Sequence, residues 1–159
     1  ALMDTGCYSI NICRFLLGTE PTVKSATARL IRPDVAHDLS AELEFPGGIT
    51  ARIGASLRSP IWKWRVFVKV IGESGTLTVL NPLLPQFFHL LTLQIGSRRH
   101  RETVPRHPST YACQLDALVT ALRGGAAMPT DGHDGILNMT VIDAIYLAAG
   151  LRRRGESKK

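Results

Sequence analysis

At 159 residues the chain has the length of one domain with a single sizeable core. A hydrophobic fraction of 45% and a charged fraction of 20% exclude a disordered, collagen-like or coiled-coil chain, and no run of about 18 uninterrupted apolar residues offers a membrane span. Nineteen basic and thirteen acidic residues give a net charge of +6, gathered in Arg98-Arg99-His100-Arg101 and in Arg152-Arg153-Arg154 with Lys158-Lys159, a pattern of solvated loop and tail rather than a nucleic-acid footprint.

Ala1-Leu2-Met3-Asp4 has no initiator methionine, basic n-region or cleavage signature, so the chain reads as a fragment of something longer. Leu2, Gly6, Ile10, Cys13 and Leu17 then recur at helical spacing, and Gly18 and Pro21 end the helix.

After a strand over about 22–31 the period switches to two. Leu39, Ala41, Leu43 and Phe45 alternate with Ser40, Glu42 and Glu44, Pro46-Gly47-Gly48 turns the chain, and Ile49, Ala51, Ile53, Ala55 and Leu57 return it. Trp62, Trp64, Val66, Val68 and Val70 alternate with Lys63, Arg65 and Lys69. Glu73-Ser74-Gly75 is the next turn, and 76–80 the next strand; 86–95 and 98–104 are weaker strand candidates.

Ser109 is a candidate N-cap for a helix whose stripe is Ala112, Leu115, Leu118, Val119 and Leu122, stopped by Gly124-Gly125. Asp131 or Asp134 opens a last helix whose expected buried face is Ile136, Met139, Ile142, Tyr146 and Ala149. Strands joined by short turns must be antiparallel, because parallel neighbours need long crossovers. The fold class is α+β: a predominantly antiparallel open sheet of about six or seven strands with helices packed on one face.

Cys7, Cys13 and Cys113 lie at no metal-like spacing, each beside apolar residues. Buried free thiols in a reducing compartment, the cytoplasm, are the simplest account. His133-Asp134 and His37-Asp38 lack the companion ligands of a metal site, so no metal is expected. No Gly-x-Ser-x-Gly elbow or Cys–His pair indicates a hydrolase.

Asp4, Tyr8 and Asn11 are spaced i, i+4, i+7 and so share one helix face. Spacing leaves two readings open. A phenol beside a carboxylate can serve general acid–base chemistry if something cationic lowers its pKa from about 10; equally, Tyr8 can be an amphipathic rim residue and Asp4 a favourable charge at a helix N-terminus. Arg58 and Ser59 end a strand and either contact substrate or are plain surface. Tyr111, at the start of the penultimate helix, either approaches a cleft or packs on the sheet. Trp62 and Trp64 read as core or subunit-interface aromatics, with base stacking on a basic strand the rival reading.

The segment Asp4-Thr5-Gly6-Cys7-Tyr8-Ser9-Ile10-Asn11-Ile12-Cys13-Arg14-Phe15-Leu16-Leu17-Gly18-Thr19-Glu20-Pro21 resembles the opening of the C-terminal domain of the Gfo/Idh/MocA oxidoreductases. It is most similar to the glucose–fructose oxidoreductase and dimeric dihydrodiol dehydrogenase members. The likeness continues through Phe45-Pro46-Gly47-Gly48, Ile71 to Leu77, Tyr111 to Leu115 and Asp143 to Tyr146 with Ala148-Ala149, nearly the whole chain in order.

The resemblance implies a substrate-binding and oligomerisation domain over 1–159, preceded in the intact protein by a Rossmann domain absent from this chain. It implies an oxidoreductase using NAD or NADP, bound mainly by that missing domain, and acting on the CH–OH group of a sugar, polyol or dihydrodiol. Tyr8 becomes the proton-transfer residue and Asp4 its substrate-orienting neighbour, with Asn11 and Tyr111 as substrate-binding positions, to which Arg58 is added from its place at a strand end. The family's catalytic lysine sits in a Glu-Lys-Pro motif, which does not occur here, and neither does a Gly-x-Gly-x-x-Gly turn. No cofactor-binding residue is therefore expected in this chain, and the fragment alone is expected to be inactive. The implied partners are a small carbohydrate or diol and a second copy docked through the open sheet face, with neither nucleic acid nor membrane. The alternative is a non-catalytic binding or oligomerisation module of the same fold.

Overall fold

A computed structural model describes residues 1–33, 35–58, 66–105, 108–153 and 155. Within these the chain forms two compact units, one of residues 1–59 and 130–159, the other of 60–129.

In the first unit, Leu2–Gly6 form a π turn that runs into α1 (Cys7–Leu17). Gly18 ends α1 in the left-handed conformation, φ 63°, with its N–H donating to the Arg14 carbonyl. Then come β1 (Thr22–Arg32), β2 (Val35–Phe45), a short 3-10 turn at Pro46–Gly48 and β3 (Ile49–Ser56), an antiparallel sheet in the order β1-β2-β3. Gly47 and Gly48 both take positive φ, which a side chain would strain.

The alternation along β2 matches the expectation: Leu39, Ala41, Leu43 and Phe45 are buried. The outer face carries Lys24 on Glu44 at 3.2 Å and Thr27 on Ser40 at 2.8 Å. On β1 the period breaks. Val23, Ala26 and Ala28 all face the core because the register slips between Val23 and Ser25, a bulge at Lys24 that resets the parity.

The helix α3 (Gly132–Ala148) packs on β1 and on α1, and α1 packs in turn on β3. The core they enclose is Leu2, Ile10, Leu43, Phe45, Ile142, Ile145 and Tyr146 with their neighbours, each large side chain contributing roughly 1.5–3 kcal/mol by leaving water. The α3 face differs from the expected one. Ile142 and Tyr146 are buried as predicted, but Ile136 and Met139 are exposed, and Val141 and Ile145 take their places. The stripe is turned because α3 is wedged against both β1 and α1 and so buries two adjacent rows instead of one.

The second unit holds β4 (Phe67–Ile71), β5 (Thr76–Leu80), β6 (Leu90–Ile95) and β7 (Arg98–Glu102), antiparallel in that order, and α2 (Thr110–Leu122). Ser109 caps α2, its Oγ accepting from the Ala112 N–H at 3.2 Å. None of the α2 residues is buried. Cys113 is accordingly exposed, correcting the expectation of three buried thiols; Cys7 and Cys13 are half-buried and all three are free. The readings placed on Ser59, Trp62 and Trp64 lie outside the described residues.

Both units follow the α+β plan, with every strand pairing antiparallel, a total of seven described strands, and helices on one face of the first sheet.

Candidate active site

Asp4 sits within the π turn and Tyr8 in the first turn of α1. The turn is closed by the Gly6 N–H on the Ala1 carbonyl at 3.2 Å and by the Cys7 N–H on the Leu2 carbonyl, five residues back in each case. Its cause is steric. Gly6 lies against β3, where a Cβ would stand 3.2 Å from the Ala55 Cβ and 2.6 Å from Leu2 Cδ1. Only a residue without a side chain lets the turn come that close to the sheet. Leu2, buried at the same contact, anchors it, and the Ala1 backbone nitrogen donates to the Ala36 carbonyl at 3.0 Å.

Asp4 and Tyr8 both present their side chains to solvent, Tyr8 with 52% of its surface exposed. Asn11, one turn further along, is half-buried, and its Nδ2 donates to Asp134 Oδ2 at 3.2 Å. Arg58 is exposed just beyond β3 and its backbone N–H donates to Ser56 Oγ at 3.2 Å. It stands at the sheet end where the Leu57 N–H meets the His37 carbonyl and Ala36 holds residue 1, the end from which the π turn starts. Asp4, Tyr8, Asn11 and Arg58 thus belong to one unit. Tyr111 belongs to the other, second residue of α2 and 72% exposed.

Residues to which the sequence reading gave no part in the site hold this helix in place. Arg14 is only 6% exposed. Its Nε and Nη2 donate to Glu20 at 2.7 and 2.8 Å, a bidentate pair, and its Nη1 donates to Asp134 Oδ1 at 2.8 Å. Donating hydrogen bonds to Glu20 first, and to Asp134, holds the guanidinium more firmly protonated, and the same Arg14 contact pulls the Glu20 carboxyl below its ordinary range. Asp134 lies in the first turn of α3, where the helix dipole favours its charge, and Asp131 caps that turn by accepting from the Asp134 N–H at 2.8 Å. One turn on, Asn138 Nδ2 donates to the Cys7 carbonyl at 3.3 Å. A signal was present: Arg14 follows Ile10 by four residues and precedes Leu17 by three, so it falls on the buried stripe, where a charge requires a partner.

Burial raises the pKa of both Cys7 and Cys13, so neither is an activated thiol. Among the described residues no group of three or more His, Cys, Asp or Glu could hold a metal ion, and no helix is long and apolar enough to cross a membrane. Each strand pairing among the described residues is antiparallel, so none of these strands is joined by a parallel strand–helix–strand crossover.

Comparison with known proteins accords with this architecture. The chain is 30% identical over 152 residues to D-xylose 1-dehydrogenase (NADP(+)) 2 of Haloferax volcanii, covering 94% of this chain and 45% of that protein. It is 24% identical over 159 residues to inositol 2-dehydrogenase of Rhizobium meliloti, covering 95% of this chain and 48% of the relative. The crystal structure of aldose-aldose oxidoreductase from Caulobacter crescentus, complexed with glycerol, superposes with a TM-score of 0.82 at 29% identity, over 94% of this chain and 45% of that one. The chain therefore spans about half the length of the relatives it matches. Residues 1–154 match the family model described as the oxidoreductase family, C-terminal alpha/beta domain, and the chain belongs to that family, the Gfo/Idh/MocA oxidoreductases.

Proposed function

We propose that residues 1–159 are the substrate-binding and oligomerisation domain of an NAD(P)-dependent oxidoreductase that moves a hydride to or from the CH–OH carbon of a sugar, polyol or dihydrodiol. The cofactor is bound mainly outside these residues, by an N-terminal Rossmann domain, and the fragment alone is inactive. Tyr8 Oη exchanges the proton of the substrate hydroxyl, and Asp4 orients that hydroxyl. Asn11, whose Nδ2 is committed to Asp134, offers its carboxamide oxygen to a second hydroxyl. Arg58 is a further substrate contact. Three free cysteines suit a reducing, cytoplasmic setting.

The observation that carries the reading is a phenol and a carboxylate exposed on a helix whose buried side is pinned by a close glycine–sheet contact and an ion-pair clamp. Proton transfer requires a rigidly mounted group. The sugar, inositol and aldose names of the relatives support the substrate class.

The test is nicotinamide absorbance in the full-length protein across aldoses, inositols and trans-dihydrodiols, wild type beside Tyr8→Phe. Turnover that falls about 100-fold or more in the variant, the scale of a lost general acid–base group, is the expected result. Turnover untouched by the substitution removes Tyr8 from the mechanism.

A specific observation also favours assembly. In the second unit Val68, Val79 and Leu91 lie directly opposite one another, as do Val70, Leu77 and Leu93, so one sheet face is aliphatic across β4–β6 and ends on His100 and Glu102 of β7, while the other mixes Lys69, Thr78, Thr92 and Arg101 with Phe67, Leu80 and Leu90. None of those aliphatic side chains is buried. A homo-oligomer formed through this face would remove them from water, and a monomer by sedimentation at micromolar concentration would refute it. If turnover is absent with every substrate, a purely assembling module of the same fold remains.

A further inference from the structure

The contacts of α3 with α1 have an arrangement that stability alone does not require. Asp134 and Asn138 are spaced i, i+4, so they stand on one face of α3. Asn138 reaches the Cys7 carbonyl, immediately before Tyr8. Asp134 reaches Asn11 and Arg14, three and six residues after it. The two polar contacts therefore bracket Tyr8 along α1, over a span of roughly 10 Å at 1.5 Å per residue. Tyr8 lies between the brackets with its side chain exposed.

The chemistry of the brackets is that of a locating device. Arg14 is forked, charged and almost wholly buried, and it joins α1 both to its own following loop through Glu20 and to α3 through Asp134. Its planar geometry fixes the rotation of α1 about its axis, which apolar packing leaves softer. Asn138 is costlier than its contact returns: its Oδ1 is buried with no hydrogen-bond partner among the described residues, while the Cys7 carbonyl it meets belongs to a helix that already supplies an acceptor's partner. An aliphatic residue of the same volume would serve the core at least as well.

We propose that Asp134 and Asn138 are positioning residues that set the axial register and rotation of α1, and thereby the placement of the Tyr8 hydroxyl. The inference rests on the reading of Tyr8 as the proton-transfer residue. It assigns to α3 no contact with substrate.

The experiment is a double-mutant cycle in the full-length enzyme, measuring kcat, KM and thermal midpoint for Asn138→Leu and Asp134→Asn, each alone and combined with Tyr8→Phe. Asn138→Leu is expected to leave the thermal midpoint unchanged or raised, while kcat falls about tenfold with KM held within about twofold, as a small misplacement of a reacting group would cause. In the Tyr8→Phe background the same substitution is expected to change kcat less than about twofold, since there is no longer a phenol to misplace. An Asn138→Leu enzyme of full kcat, or one whose loss is undiminished without the Tyr8 hydroxyl, overturns the proposal. Should Asp134→Asn fail to fold, Asn138→Leu carries the cycle. Tyr8→Phe measured alone separates the two ideas: if it is fully active, the reading of Tyr8 fails and the positioning role falls with it, whereas an impaired Tyr8→Phe beside unimpaired α3 variants removes the positioning role only.

Discussion

Replacing Arg14 by methionine tests the clamp as a source of stability. Methionine keeps the apolar stem that packs beside Ile10 and removes the guanidinium with its three charge-assisted hydrogen bonds. Deleting one partner of a fully buried ion pair costs about 3–5 kcal/mol, and breaking an exposed pair costs about 0–1 kcal/mol. The clamp lies between these limits. Arg14 itself is 6% exposed, but the side chains of Glu20 and Asp134 are 44% and 25% exposed, so both carboxylates recover water when the cation is gone. Asp134 also retains Asn11 and the positive end of α3. A loss of about 2 kcal/mol follows, equivalent to roughly 4–8 °C in thermal midpoint for a protein of this size. Urea unfolding followed by far-ultraviolet circular dichroism measures it, and Arg14→Lys, which keeps the charge without the fork, is expected to fall between the two. A loss below about 0.5 kcal/mol, or a more stable methionine variant, would show that desolvating the guanidinium cancels its pairings, and the reasoning would fail.

The same clamp sets a pH dependence. The Glu20 carboxyl is held low in the folded state, chiefly by the Arg14 hydrogen bond, so its contribution is complete above the ordinary glutamate value of about 4.3 and is lost as pH falls through the lower folded value. Acid titration of stability is therefore expected to be shallower in Glu20→Gln than in the wild type; superimposable profiles would contradict the assignment. Gly6→Ala is expected to destabilise by about 1 kcal/mol, because the Ala55 Cβ contact outweighs the better helix propensity of alanine while the Leu2 side chain can swing aside. An unchanged or raised midpoint would mean that the turn moves off the sheet freely. Cys113, exposed on α2, is expected to react with a disulfide reagent well before Cys7 and Cys13, whose thiols burial keeps protonated. Equal rates for the three would contradict the burial of α1's inner face.

Local patterning determined much of this molecule. The period of two in 39–45 reappears in the buried residues of β2, and that of 49–57 in the inward Ala51, Ile53 and Ala55 of β3, because a pleated strand has no other way to divide its side chains, although Ile49 and Leu57 at the ends are exposed. Gly18, Ser109 and Asp131 end or begin their helices as read, since a left-handed stop and an oxygen cap are satisfied within a few residues. The family was legible in the first segment, where Asp4, Tyr8 and Gly6 occur together.

What tertiary structure decided lies in contacts between residues far apart in the chain. The parity change at Lys24, the turned face of α3 and the exposure of α2 depend on which surfaces meet, and periodicity is blind to that. Arg14 illustrates the limit best. Its place on an apolar stripe announces that it needs a partner, but Asp134 is 120 residues away, and only folding brings that carboxylate to 2.8 Å. The chemistry-bearing side of α1 was readable from its own spacing. The side that holds it still was written by α3.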